Sequence, residues 1–248
     1  AGIVLVPFAF KALKQTPKNK LSLVVFSGII GSFIPAYLFC IAETKIDSAL
    51  AGILNSLTPL FTIIVGILVF KISIDPKKIG GILLGLVGLC ISVVAGKTLH
   101  FENISFSFFI ILATICYGFN VNMVGKHMQN ISAINIASLA FSFSIIPGMV
   151  ILYLTGYFNN DFTNPALLNA TLASGTLGVI NTSIASILFY VLVKRAGILF
   201  ASTVTYAIPF VSLAMGLLYN EAIHPMRLLG LAIILWGVYI VNKRGSTK

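Results

Sequence analysis

The sequence predicts an all-α membrane protein, a polytopic helical bundle of two inverted five-helix repeats, and three observations carry that prediction. Of the 248 residues, 58% are hydrophobic and only 9% are charged, whereas about a quarter of a soluble domain is charged. The apolar residues fall into runs long enough to cross a bilayer, which takes about 20 helical residues for ~30 Å of hydrocarbon. Third, the stretch Ala49–Gly66 (ALAGILNSLTPLFTIIVG) returns 150 positions later as Leu199–Gly216 (LFASTVTYAIPFVSLAMG). Ala51 lies over Ala201, Pro59 over Pro209 and Gly66 over Gly216.

Taken in order, the chain opens on Ala1 inside an apolar run that ends near Leu13, too short to cross a bilayer alone. The expectation is a fragment that lacks the first helix and part of the second. A basic loop, KQTPKNK, leads to a span over Leu21–Ala42 with Pro35 at depth. The next span, residues 48–70, is the one that recurs. Pro59 sits at its middle, where a missing N–H frees the carbonyl of Asn55, and Asn55, Ser56, Thr58 and Thr62 gather around that break. A span over Ile79–Gly96 carries Gly81, Gly85 and Gly88, small residues that permit close helix packing. Spans over Ile104–Val124, with Tyr117, Asn120 and Asn122, and over Ala133–Leu154, with Pro147, follow. After the polar loop GYFNNDFTNP come spans over Leu167–Leu192, with Asn181, Thr182, Ser183 and Ser186, over Gly197–Tyr219, and over Met226–Val241 before the basic tail NKRGSTK. Nine spans are visible, the first cut short.

The echo extends beyond its core. At the same offset Gly28 meets Gly178, Leu38 meets Leu188 and Phe39 meets Phe189. After a slip of one residue Pro76 meets Pro225, Lys78 meets Arg227, Gly81 meets Gly230, Gly88 meets Gly237 and Ile91 meets Ile240. The chain therefore divides into a first repeat, residues 1–98, truncated at its N-terminal side, and a second, residues 99–248. Loop charge sets their orientation. One face collects Lys11, Lys14, Lys18, Lys20, Lys71, Lys77, Lys78, Lys126, Lys194, Arg195, Lys243, Arg244 and Lys248; the other has Lys45, Lys97 and Arg227. Thirteen of 16 basic residues on one side predict that this side, and the C-terminus with it, faces the cytoplasm, which makes the protein multi-pass in the cell (inner) membrane. Repeats with an odd number of spans then lie in opposite orientations. Inverted repeats with proline-interrupted helices in corresponding positions are the sequence-level sign of a secondary transporter with a midplane site.

SALAGILNSLTPLFTIIVG with its basic loop and glycine-rich span resembles the drug/metabolite transporter superfamily, in particular its ten-helix EamA-type members. AGILFASTVTYAIPFVSLAMGLLYNEAIHPMRLLGLAIILWGVYIV is similar to the same pattern, including the acidic Glu221. The resemblance covers nearly the whole chain; the first copy departs from it at Lys71, where the family is usually acidic. It implies export of amino acids, other metabolites or toxic compounds. Two alternatives stay open: an uptake permease, and a membrane binding or scaffold protein that moves nothing.

Polar side chains in lipid-embedded spans are costly unless they face a cavity or a partner. Substrate-binding candidates are therefore Asn55, Ser56 and Pro59; Tyr117 and Asn120, three apart on one face; Thr182 and Ser186, four apart on a stripe with Gly178; and Thr205, Tyr206 and Pro209. The alternative for each is an interhelical hydrogen bond or an ordinary proline kink. No Asp, Glu, Lys, Arg or His lies at mid-span, so the predicted cavity suits neutral, zwitterionic or amphipathic solutes. His100, His127 and His224 fall near interfaces, and Glu43, Asp47 and Glu221 at helix ends. Enzyme readings fail: Gly96–Thr98 (GKT) lacks the earlier glycine of a phosphate loop, position 91 being Ile, and no GxSxG, HExxH or paired-cysteine motif is present. Cys40, Cys90 and Cys116 are too scattered for a metal site, and no cofactor is expected. The net charge of +10 lies in short clusters between spans, which speaks for orientation in a membrane over nucleic-acid binding. The expected partners are a small-molecule substrate and the lipid bilayer, and homodimerisation stays open.

Overall fold

A computed structural model describes residues 1–46, 48–94, 104–207, 211 and 225–242. All regular structure among them is helical. Four stretches are long and apolar enough to cross a membrane: Lys18–Glu43, Ser107–His127, Ala133–Leu154 and Pro165–Ala196. Outward side chains match that environment, with Ile3, Leu68, Tyr153, Leu154 and Trp236 all more than 60% exposed. The helix contacts resolve into two compact units, Ala1–Phe33 with Val124–Arg195, and Ile34–Met123 with Ala196–Lys248. Each draws on both halves of the sequence.

In the first unit, α1 (Gly2–Gln15) and α2 (Lys18–Gly28) pack on a helix from later in the chain. Leu5, Ala9 and Ala12 form a single buried stripe on α1, the helical spacing of an inward face. Short residues let the backbones approach: a methyl on Gly28 would lie 2.6 Å from the Ala140 carbonyl. The span begun by α2 continues through a π-helical segment, Ile29–Phe33, into α3 (Ile34–Glu43), which belongs to the second unit. Pro35 has no N–H to offer the Gly31 carbonyl four residues earlier, and the widened turn that ends at Phe33 surrounds that carbonyl. Pro35 itself is buried inside α3 and does not end the span.

In the second unit, α4 (Ser48–Asn55) and α5 (Thr58–Leu68) form the recurring span, and α6 (Pro76–Val94) follows. Lys71, just past α5, has φ +50, a left-handed conformation that favours glycine. Then α7 (Ser107–His127) runs back to the first unit, where α8 (Ala133–Phe143), α9 (Ile145–Leu154), α10 (Pro165–Leu177) and α11 (Ala185–Ala196) follow. A second π-helical segment, Gly178–Ile184, joins α10 to α11. It starts 150 positions after Gly28 and so matches the first π segment in the echo. No proline causes it; the Ser183 hydroxyl reaches back five residues to the Gly178 carbonyl, 3.4 Å.

The basic loops of the first unit converge on one end. Lys20 Nζ donates to the His127 carbonyl at 3.2 Å, and Lys194 Nζ to the carbonyls of Gln129, at 2.9 Å, and Ile131. Asn135 Nδ2 donates to Gln15 Oε1 at 3.1 Å, which ties the end of α1 to the start of α8. These cations cover the carbonyl end of α7, where the helix dipole is negative.

The second unit closes with α12 (Ile198–Ser202), a 3₁₀ turn over Thr203–Ala207, and α13 (Pro225–Asn242). α6 and α13 form its closest helix pair. A methyl on Gly81 would lie 2.8 Å from the Gly237 carbonyl, and one on Gly88 would lie 2.7 Å from the Gly230 carbonyl. In the echo Gly81 corresponds to Gly230 and Gly88 to Gly237. Each glycine thus meets the counterpart of the other, the exchange of partners that a two-fold relation between the helices produces.

Candidate functional site

The recurring span breaks where proline predicts. α4 ends at Asn55 and α5 restarts at Thr58, with Pro59 in its first turn, where its missing N–H costs nothing. The Asn55 carbonyl accepts from Thr58 Oγ1 at 2.6 Å. Ser56 Oγ donates to the Gly52 carbonyl at 2.9 Å and Thr62 Oγ1 to the Thr58 carbonyl at 2.8 Å. All three hydroxyls are therefore committed to main chain, and Ser56, Thr58 and Thr62 are buried. Asn55 differs. It is half-buried, its Oδ1 receives only a long contact from Thr58 at 3.4 Å, and its amide nitrogen has no hydrogen-bond partner among the described residues.

α7 supplies the second group. Tyr117 is half-buried, and its hydroxyl has no hydrogen-bond partner among the described residues. Its ring centroid lies 6.3 Å from that of Phe39. Phe39 also packs on the cluster that includes Ala51 of α4, so one aromatic ring adjoins both the helix of Asn55 and the ring of Tyr117. Asn120 is 3% exposed.

Sequence reasoning named Asn122 beside Tyr117 and Asn120 on this span but left it out of the candidate set. It is 1% exposed, and Nδ2 donates to the Thr62 carbonyl on α5 and the Gly118 carbonyl on α7, each at 2.8 Å. A methyl on Gly118 would lie 2.9 Å from the Thr62 nitrogen, and one on Gly66 would lie 2.9 Å from Asn122 Oδ1. Two glycines and one amide thus lock α7 onto α5 immediately past the proline break. The signal was legible as a glycine four residues before an asparagine within one apolar span.

The echoed segment is built differently. Gly197, at φ +93, turns the chain into α12, and Leu199 packs on the cluster of Ile63, Ile82 and Val241, with α12 lying against α5 and α13. Ser202, Thr203 and Thr205 donate to carbonyls three residues back, at 2.8, 2.7 and 3.2 Å. Tyr206 is 1% exposed; its hydroxyl donates to the Ile82 carbonyl at 2.9 Å, and its ring fills the notch left by Gly85. In this conformation Tyr206 is a brace between helices. Pro209 lies outside the described residues, as do Asp47, His100, Glu221 and His224.

Asn55, Ser56, Pro59, Tyr117, Asn120, Thr205 and Tyr206 all belong to the second unit. Thr182, on the π segment, and Ser186, on α11, belong to the first, and both are half-buried. Among the described residues no three His, Cys, Asp or Glu side chains are placed to hold a metal ion.

The sequence profile of the EamA-like transporter family matches residues 1–94 and again 105–243. The chain belongs to the EamA-like transporter family. That places this EamA-like protein in the drug/metabolite transporter superfamily, as a multi-pass membrane transporter and not an enzyme. One curated relative, a "Probable amino-acid metabolite efflux pump" of Salmonella typhimurium, is 25% identical over 251 residues, covering 97% of this chain and 83% of its own. A solved crystal structure shares the fold at a TM-score of 0.67 with 16% sequence identity, covering 99% of this chain and 96% of the other.

Proposed function

We propose that this EamA-like transporter exports small neutral or zwitterionic organic solutes, amino acids among them, by alternating access of two inverted repeats. The observation that carries the reading is the difference in hydrogen-bond state around the proline break. Ser56, Thr58 and Thr62 spend their hydroxyls on main chain, while the Asn55 amide and the Tyr117 hydroxyl keep donors and acceptors to offer. A buried, unsatisfied polar group costs about 1–3 kcal/mol, so a half-buried one that retains its capacity suits a solute that comes and goes. No ionisable side chain interrupts α4, α5 or α12, which disfavours a solute of high net charge.

The exchanged glycine contacts of α6 and α13 and the matched π segments support a duplicated, inverted architecture. The name of the Salmonella relative supports amino acids and export. The lysine and arginine asymmetry supports a cytoplasmic C-terminus in the inner membrane.

The test is a comparison of cytosol and medium in cells that express the wild type or Asn55→Leu at equal membrane abundance. The reading predicts that one class of neutral or zwitterionic metabolite accumulates in the medium with the wild type alone. Movement in the opposite direction identifies an uptake permease, and coincident profiles favour a scaffold.

A further inference from the structure

We propose that the basic end of the first unit is a docking surface for the headgroups of anionic phospholipids. The two stretches of this unit, residues 1–33 and 124–195, hold seven Lys and Arg residues and one carboxylate, Asp161. That carboxylate lies in the loop between Leu154 at the end of α9 and Pro165 at the start of α10, the ends of those spans remote from the basic loops, and it is occupied by the Thr163 hydroxyl at 2.6 Å. No acidic side chain of this unit therefore lies at its basic end.

Main-chain contacts build the surface. Lys20 and Lys194 are held on the carbonyls of residues 127–131, which draws the ends of α2, α7 and α11 together. Lys11, Lys14, Lys18 and Arg195 remain exposed around them. Phe10 and Leu13, beside Lys11 and Lys14 on α1, are 67% and 41% exposed. A lipid answers both features together: headgroup phosphate for the cations, acyl chains for the apolar side chains. Free phosphate answers only the first. The basic loop of the second unit offers a contrast, since Asp75 lies beside Lys77 and Lys78 and accepts from the Lys77 N–H at 2.9 Å.

The experiment is native mass spectrometry of the purified full-length protein with phosphatidylglycerol and phosphatidylcholine of identical acyl chains. A melting-temperature titration of each lipid in detergent accompanies it. Each Lys or Arg near an anionic surface is worth about 1 kcal/mol, so the wild type should prefer phosphatidylglycerol by about tenfold or more. The quadruple variant K11Q/K14Q/K18Q/R195Q should lose that preference, while K77Q/K78Q keeps it. If the quadruple variant does not fold, salt decides on the wild type: the preference should collapse as ionic strength rises from about 0.05 to 0.5 M. Equal binding of the two lipids, an unchanged quadruple variant, a salt-insensitive preference, or equal stabilisation by millimolar inorganic phosphate would each overturn the proposal.

Discussion

Positions 56 and 206 correspond in the echoed segments, and their side chains do opposite work. Ser56 turns its hydroxyl back to the carbonyl of Gly52 in its own helix. Tyr206 reaches out to the carbonyl of Ile82 on α6. The surroundings are exchanged as well, because the notch that receives Tyr206 is Gly85, and the counterpart of Gly85 in the echo is Ile234, fully buried. The first copy carries small residues at both positions, Ser56 and Gly85, and the second large ones, Tyr206 and Ile234, so Tyr206 of the second copy seats on Gly85 of the first. A duplicated fold can thus keep its helix packing while its two halves divide the labour. On this reading the first segment keeps Asn55 open for solute, and the second braces the helices.

Truncation of the brace should produce the largest effect. Tyr206→Ala empties a fully buried aromatic site and should cost about 3–5 kcal/mol, read as a fall in melting temperature in detergent. Gly85→Leu attacks the same contact from the other side by overpacking, at about 1–3 kcal/mol or more, and Ser56→Ala should be mild by comparison. If Ser56→Ala is as damaging as Tyr206→Ala, the asymmetry is wrong. Asn122→Leu removes two buried hydrogen bonds, one across to α5 and one within α7, and adds bulk against Gly66, so a loss of about 1–3 kcal/mol is expected, with transport falling in step with folded protein. Lys71→Gly relieves the one left-handed non-glycine residue among those described and should raise stability by up to about 1 kcal/mol.

The spans at Lys18–Glu43, Ser107–His127, Ala133–Leu154 and Pro165–Ala196 were legible because lipid imposes length and apolarity on them, and the break at Pro59 because proline removes a specific N–H. The π segments were less so. Pro35 could have signalled the first, since it orphans the Gly31 carbonyl, but nothing in GVINTSI distinguishes a widened turn from an ordinary one. Polar residues in the spans were read correctly as expensive, yet expense does not name a partner. Ser56, Thr205 and Tyr206 meet theirs on main chain, Asn122 meets its own across to α5, and only the folded arrangement separates these from Asn55 and Tyr117. The assignment of Thr182 and Ser186 to a different compact unit from Asn55 also depends on which helices associate, and that is long-range information.

The most direct test of this division of labour compares Asn55→Leu with Tyr206→Phe in one assay, with melting temperature and export of the identified solute measured on the same preparations. The account predicts that Asn55→Leu keeps the wild-type melting temperature and loses export by about tenfold or more. It predicts that Tyr206→Phe, which gives up one buried hydrogen bond, loses about 0.5–1.5 kcal/mol of stability and exports with an unchanged KM. A Tyr206→Phe protein of full stability with a raised KM, beside an Asn55→Leu protein that exports normally, would contradict it.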